Sequence, residues 1–189
     1  MARPSVADER REQIIEATLQ TISEQGISKT TLDRIADAAG MSRGHVRHFV
    51  GNRDRLLLDA ARAFYADERG EPAILPVAID DLGSALDFLF GPEFAASGAE
   101  NAIVLAFVEL ARSTPEIAEV LAAAYTSTRE RLSAYLAEAK PDAPAATREA
   151  AAQGVLSAAL GNVFIGDFDR DDGRTARARA AVDALLEAL

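Results

Sequence analysis

The sequence predicts an all-α protein of about nine helices. Apolar residues recur at three- and four-residue spacing along nearly the whole chain of 189 residues. The runs are separated by glycine, proline or a side chain suited to capping a helix. No segment shows convincing period-two alternation, and no solenoid-length repeat is visible.

Taken in order, Ile14, Ile15, Leu19 and Ile22 mark a first helix over residues 8–25, stopped by Gly26. Thr30 and Thr31 precede a short piece with Leu32, Ile35, Ala36 and Ala39, and a threonine there can cap its free N–H groups. Gly40 ends it. Ser42 then caps a third helix through Val46 and Phe49, and Gly51 breaks that one. Asn52 caps a fourth, residues 53–68, with Leu56, Leu57, Ala60, Ala61 and Phe64 on its buried face. Residues 69–76 read as a linker rich in turn formers.

Residues 80–90 form the next helix and Gly91-Pro92 breaks it. Residues 99–112 are apolar on nearly every side, a mark of burial. Ser113-Thr114-Pro115-Glu116 is a helix start: a cap residue, an early proline and an early acid. That helix carries Ile117, Leu121, Ala124, Leu132 and Leu136 on one face. Residues 145–166 and 175–189 are the last two helices, separated by the acidic loop 167–173.

Composition narrows the function. There is no cysteine, which excludes disulfides, cysteine zinc sites and thiol catalysis and fits a reducing cytoplasm. The two histidines, His45 and His48, lie three residues apart with no third ligand nearby, so no metal site is expected. The D-x-D rhythm of 167–173 departs from a calcium loop, with glycine seventh and Ala178 in the place of the closing glutamate. Phosphate-loop, dinucleotide, nucleophile-elbow and zincin motifs are all missing, so no enzyme and no cofactor is expected. The N-terminus has no apolar stretch after its charges and so does not read as a signal peptide. The longest apolar run, residues 102–108, is far short of the ~20 residues that cross a bilayer. A cytoplasmic protein without a membrane partner is expected.

Charge is uneven. The formal net charge is −10, yet residues 1–55 hold nine basic and eight acidic side chains. Residues 40–55 hold four arginines, two histidines and one acid, Asp54. A basic patch on an acidic body suggests two jobs in one chain. The patch coincides with a short helix, a glycine turn and a second short helix, the helix-turn-helix pattern. The second helix must fit a major groove about 12 Å wide, so its first residues must be small or hydrogen-bonding. Ser42, Arg43, Gly44 and His45 meet that need. If Val46, Phe49 and Val50 face the core, then Arg43, Arg47 and His48 face outward, the two arginines one turn apart. Arginine grips guanine bidentately or pairs with phosphate. Arg53, opening the next helix, can hold a phosphate beside the groove. Thr31 and Arg34 on the preceding helix complete the set.

The stretch Thr30-Thr31-Leu32-Asp33-Arg34-Ile35-Ala36-Asp37-Ala38-Ala39-Gly40-Met41-Ser42-Arg43-Gly44 resembles the N-terminal region of the TetR family of bacterial transcriptional regulators. So does its continuation from His48 to Leu57, and the resemblance covers roughly residues 10–57. Three positions depart from it. The family usually carries an aromatic where Arg47 stands, Phe where Val50 stands, and Lys where Arg53 stands.

The resemblance implies a DNA-binding domain over residues 1–52 and a helical regulatory and dimerisation domain over residues 53–189. It implies a repressor on a pseudo-palindromic double-stranded operator, released by a small-molecule effector. It also implies a homodimer built on residues 145–166 and 175–189. Gly154, Ala158, Gly161 and Ile165 on the first of these, and Ala181, Leu185, Ala188 and Leu189 on the second, suit close approach of partner helices. Candidate effector-lining residues are Phe64, Phe88, Phe107, Tyr125 and Phe164, with Glu109 and Asn162 as polar anchors. The competing reading is a helical adaptor that has lost DNA binding.

Overall fold

A computed structural model describes residues 5–95 and 98–189, and among them every regular element is helical. The expected absence of a signal segment in residues 1–4 lies outside the described residues. Ten α-helices follow in order: α1 (Val6–Gln25), α2 (Leu32–Ala38), α3 (Arg43–Val50), α4 (Arg53–Phe64), α5 (Leu82–Leu89), α6 (Pro92–Ala95), α7 (Gly98–Ala111), α8 (Pro115–Ala139), α9 (Ala145–Gly166) and α10 (Arg174–Glu187). A 3-10 turn, Ile27–Lys29, joins α1 to α2. The extra helix relative to the expected nine is α6, a single turn that restarts at the proline read as a pure break.

The predicted caps form. Thr31, Ser42 and Asn52 each accept a backbone N–H three residues on, from Arg34, His45 and Arg55. Ser5 and Asp8 make a reciprocal capping box, which starts α1 at Val6, two residues before the expected position. Helix α4 stops at Phe64 rather than residue 68. Asp67 captures the chain there: its Oδ1 accepts N–H groups from Arg69 and Glu71, and Gly70 takes φ 82°.

The chain groups into two compact units, Met1–Tyr65 with Ala102–Leu121, and Ala66–Asn101 with Ala122–Leu189. Helix α4, expected to begin the second domain, packs on α1 and α3 within the first unit. In that unit Ile14, Ile35, Val46 and Leu56 are completely buried, with Val50 nearly so. Each such side chain contributes about 1.5–3 kcal/mol by leaving water. In the second unit α5, α8, α9 and α10 share a core of Leu86, Leu89, Leu132, Leu136, Val155, Leu156, Val182 and Leu186. Arg131 on α8 holds the 74–79 loop, donating to the carbonyls of Leu75, Pro76 and Ile79 at 2.7–2.9 Å. Among the described residues no single helix is long and apolar enough to cross a membrane.

Candidate nucleic-acid interface

Helices α2 and α3 join through Ala39, Gly40, Met41 and Ser42, with Gly40 at φ 64° making the turn. Val46 and Val50 anchor α3 in the core and Phe49 is half-buried. The rings of His45 and His48 each lie 5.3 Å from the Phe49 ring. With that face spoken for, Ser42, Arg43, Gly44, His45, Arg47 and His48 are all exposed. The expected outward face of α3 is therefore formed. Thr31 and Arg34 are also exposed on α2, where Arg34 donates to Gln25 on α1.

One arginine and one glutamine, neither expected at the interface, hold this pair of helices. Arg11 Nε donates to Phe49 O at 3.0 Å, and Gln13 Nε2 donates to Ala39 O at 2.9 Å. Both come from α1 and satisfy carbonyls at the C-terminal ends of α3 and α2, which lack helical partners. Their sequence separations, 38 and 26 residues, leave no local signal to read. A third contact without a local signal joins α3 to α2: Arg43 Nη1 donates to Asp33 Oδ2 at 3.1 Å and to Oδ1 at 3.4 Å.

Arg53, expected beside the groove, also makes contacts within the chain. Its guanidinium, on a side chain 35% exposed, reaches two carbonyls: Nε donates to Thr30 O at 2.6 Å and Nη2 to Ile27 O at 2.8 Å. Nη1 lies 4.0 Å from Asp54 Oδ1. The side chain ties the start of α4 to the turn that leads into α2. The reason is geometric, because a planar fork matches two neighbouring carbonyls as well as it matches a phosphate.

Gly44 shows a different kind of constraint. An added Cβ would meet nothing in the chain nearer than Ser42 Oγ at 4.0 Å, and its φ is not positive. Among the described residues nothing demands glycine there.

The seven candidate effector residues are divided between the two units. Phe64 and Phe107 lie in the first unit, where Phe107 is fully buried and the two rings are 6.0 Å apart, with Tyr65 alongside. Glu109 lies in the same unit but is exposed, because it sits on the solvent side of α7. Phe88, Tyr125, Asn162 and Phe164 belong to the second unit. Phe88 packs on Phe94, Tyr125 is half-buried on the core, and Phe164 is half-buried on α9. Asn162 is buried but not free. Its Nδ2 donates to Thr175 Oγ1 at 3.1 Å and its Oδ1 accepts from Arg174 Nε at 3.1 Å, pairing α9 with α10. A cleft of about 670 Å³ in the second unit is lined instead by Phe90, Pro92, Val163, Asp167, Asp171 and Arg174, among others. Among the described residues no cluster of His, Asp and Glu could hold a metal.

The face expected to pair with a partner is open along α10: Ala181, Leu185 and Ala188 are exposed while Val182 and Leu186 point inward. On α9 Ile165 is exposed and Gly161 has open space beyond it. Gly154 is different. A Cβ there would come within 3.0 Å of Leu185 Cδ2, so its smallness serves packing inside the chain.

A buried α2–α3 framework that presents a basic helix end to solvent defines a helix-turn-helix protein. The family comparisons agree with it. Residues 14–60 match the model of the bacterial regulatory proteins of the tetR family, and residues 79–189 match that of the C-terminal region of BetI-type transcriptional repressors. The chain belongs to the TetR family of bacterial regulators, whose members bind DNA and are not enzymes.

Among curated relatives, the HTH-type transcriptional regulator BetI of Stenotrophomonas maltophilia is 47% identical over 62 residues, 33% of this chain and 32% of its own length. BetI 1 of Chromohalobacter salexigens is 45% identical over 58 residues, 31% and 29% of the two chains. The chain thus spans about a third of the length of the curated relatives it matches. Solved structures share the fold over nearly everything. A transcriptional regulator from Rhodococcus aligns with TM-score 0.73 at 20% identity, covering 94% of each chain. A TetR-family regulator from Cytophaga hutchinsonii aligns with TM-score 0.76 at 13% identity, covering 100% and 98%.

Proposed function

We propose that this protein is a cytoplasmic, homodimeric transcriptional repressor that reads a pseudo-palindromic operator and is released from it by a small-molecule effector. The observation that carries the reading is the exposed N-terminal half of α3, basic and free of bulk at Gly44, held on a rigid α1–α2 frame. The functional division runs between residues 52 and 53, with α4 as the lever between the reading head and the regulatory helices.

The chemistry follows from these side chains. Helix α3 enters the major groove N-terminus first, where the residues nearest the bases sit. Gly44 lets the backbone come close. Arg43 and Arg47 supply forked donors for a guanine edge or a phosphate, and Thr31, Ser42 and His48 supply shorter contacts to the strands. One head binds weakly. Two heads about 34–36 Å apart, or a multiple of it, read a palindrome and share its cost of ordering. The open faces of α9 and α10, with Ile165 and Leu185 exposed, supply the surface for pairing. An effector that prefers the released arrangement by about 1.4 kcal/mol lowers operator affinity tenfold, so a small differential contact suffices.

The test is selection of bound sequences from a random duplex pool, followed by titration at two salt concentrations. A pseudo-palindromic winner whose affinity falls steeply with salt supports the reading, since each phosphate contact contributes about 0.9 to the logarithmic slope. A folded dimer that enriches no sequence overturns it in favour of an adaptor acting through protein contacts.

A further inference from the structure

We infer that Asp33 is a specificity-determining residue: it holds Arg43 in the orientation that reads one guanine in each operator half-site. The inference rests on the DNA-reading function proposed above.

Arg43 is the first residue of α3, the position closest to the base edges when the helix enters the groove end-on. A solvated arginine on such a site is a flexible point of charge, and it grips phosphate as readily as base. Here it is restrained. Both oxygens of Asp33 accept from the same nitrogen, Nη1. The guanidinium has a second bidentate edge made by Nε and Nη2, and among the described residues neither of these donates to the protein. One nitrogen is held by Asp33 and the Nε–Nη2 edge is left for another partner on a side chain that is 62% exposed. Two parallel donors of that kind match the O6 and N7 acceptors of guanine in the major groove, a pattern no other base shows there.

Stability gives no reason for the pair. The two side chains are 62% and 61% exposed, and ion pairs so solvated contribute little. A carboxylate this near the groove also opposes approach to phosphate, so on affinity alone it is a disadvantage for any sequence. Orientation is what it can supply: an arginine already aligned loses less rotamer freedom on binding the matching base. Asp33 is itself well placed to do this, lying in the first turn of α2 where the helix end favours a negative charge. The carboxylate discriminates in a second way. An arginine paired with it already has a partner, so the competing sequence-independent contact to phosphate is weakened.

Such a positioning role has a signature that simple repulsion and simple structural damage both lack. Asp33→Asn removes the charge and keeps the shape. It should raise affinity for non-operator DNA while lowering discrimination at one G·C pair of each half-site by about two- to fivefold, the most that a solvated pair can transmit. Arg43→Ala should lose discrimination at that same pair, and Arg43→Lys should keep most affinity yet lose the discrimination, since an ammonium has no fork. In the Asp33→Asn/Arg43→Ala double variant, no further discrimination should be lost.

The measurement is the dissociation constant, by fluorescence anisotropy, for the selected operator and for duplexes changed at each half-site pair. Circular dichroism melts check that each exposed substitution leaves the fold unchanged. Asp33→Asn that tightens operator and non-operator DNA equally, with every base preference intact, overturns the inference and leaves a plain repulsive charge. So does loss of preference at a pair different from the one Arg43 reads. Wild-type protein that enriches no sequence overturns the DNA-reading function first, and this inference with it.

Discussion

Arg53 separates a phosphate contact from an internal strap, and the two make opposite predictions. The perturbation is Arg53→Ala. It removes a donor at 2.6 Å from Thr30 O and another at 2.8 Å from Ile27 O. Ile27 O keeps the Thr30 N–H at 3.2 Å, so Thr30 O is the carbonyl most affected. Hydrogen bonds from charged donors contribute about 1.5–3 kcal/mol each when well shielded. The Arg53 side chain is 35% exposed, so water replaces part of the loss. Discounted for that, the strap is worth about 2 kcal/mol in all. For a chain of this size that lowers the melting temperature by about 4–8 °C.

The assay is paired. Thermal melts by circular dichroism read stability, and operator titrations at several salt concentrations read the number of phosphates engaged. A strap leaves the logarithmic salt slope at its wild-type value. A phosphate contact would reduce it by about 0.9 for each head. Arg53→Lys sharpens the contrast. Lysine serves a phosphate adequately but cannot fork to two carbonyls, so it should melt nearly as low as the alanine variant. The reasoning is refuted if Arg53→Ala melts with the wild type while its salt slope flattens.

Arg47→Ala should weaken operator binding at least tenfold and reduce the slope by about one unit per head, with the melting curve unchanged, because the side chain is exposed. Gly44→Ala should stabilise the fold by about 0.5 kcal/mol, since alanine is the better helix former and meets nothing within the chain. Gly44→Leu, read by anisotropy, should keep the fold and block the operator; unimpaired binding would mean that α3 does not enter end-on. Ile165→Glu with Leu185→Glu should shift sedimentation from dimer to monomer, given the 43% and 40% exposure of these two side chains. Acid should destabilise the protein. Hydrogen bonds from Ser5 to Asp8, from the Glu71 N–H to Asp67 and from Ser84 to Asp81, and the Arg177 contact to Asp171, all hold these carboxyls below their usual values. A lowered folded value means stability that is complete above the unfolded value and lost as pH falls through the folded one. Urea midpoints should therefore decline below about pH 4, the ordinary carboxylate range.

How much of this was legible in the sequence follows from the range of each interaction. Helix order, the caps at Thr31, Ser42 and Asn52, and the outward face of α3 were readable, because capping and amphipathic spacing act within four residues. The basic cluster between residues 40 and 55 on an acidic chain was readable by counting. The early end of α4 was not: a local helical pattern runs through Tyr65, and the competing turn depends on Asp67 reaching two amides beyond it.

Only the tertiary structure decided where long polar side chains go. Arg11, Gln13, Arg43 and Arg53 look alike as surface residues in a list of letters. Folding gives three of them carbonyls at helix or turn ends and gives the fourth a carboxylate on the neighbouring helix. The same holds for Asn162, expected as a ligand anchor, whose amide joins α9 to α10. Periodicity records which face of a helix is apolar. It carries no information about which distant carbonyl a flexible side chain will meet, and that is settled when the helices pack.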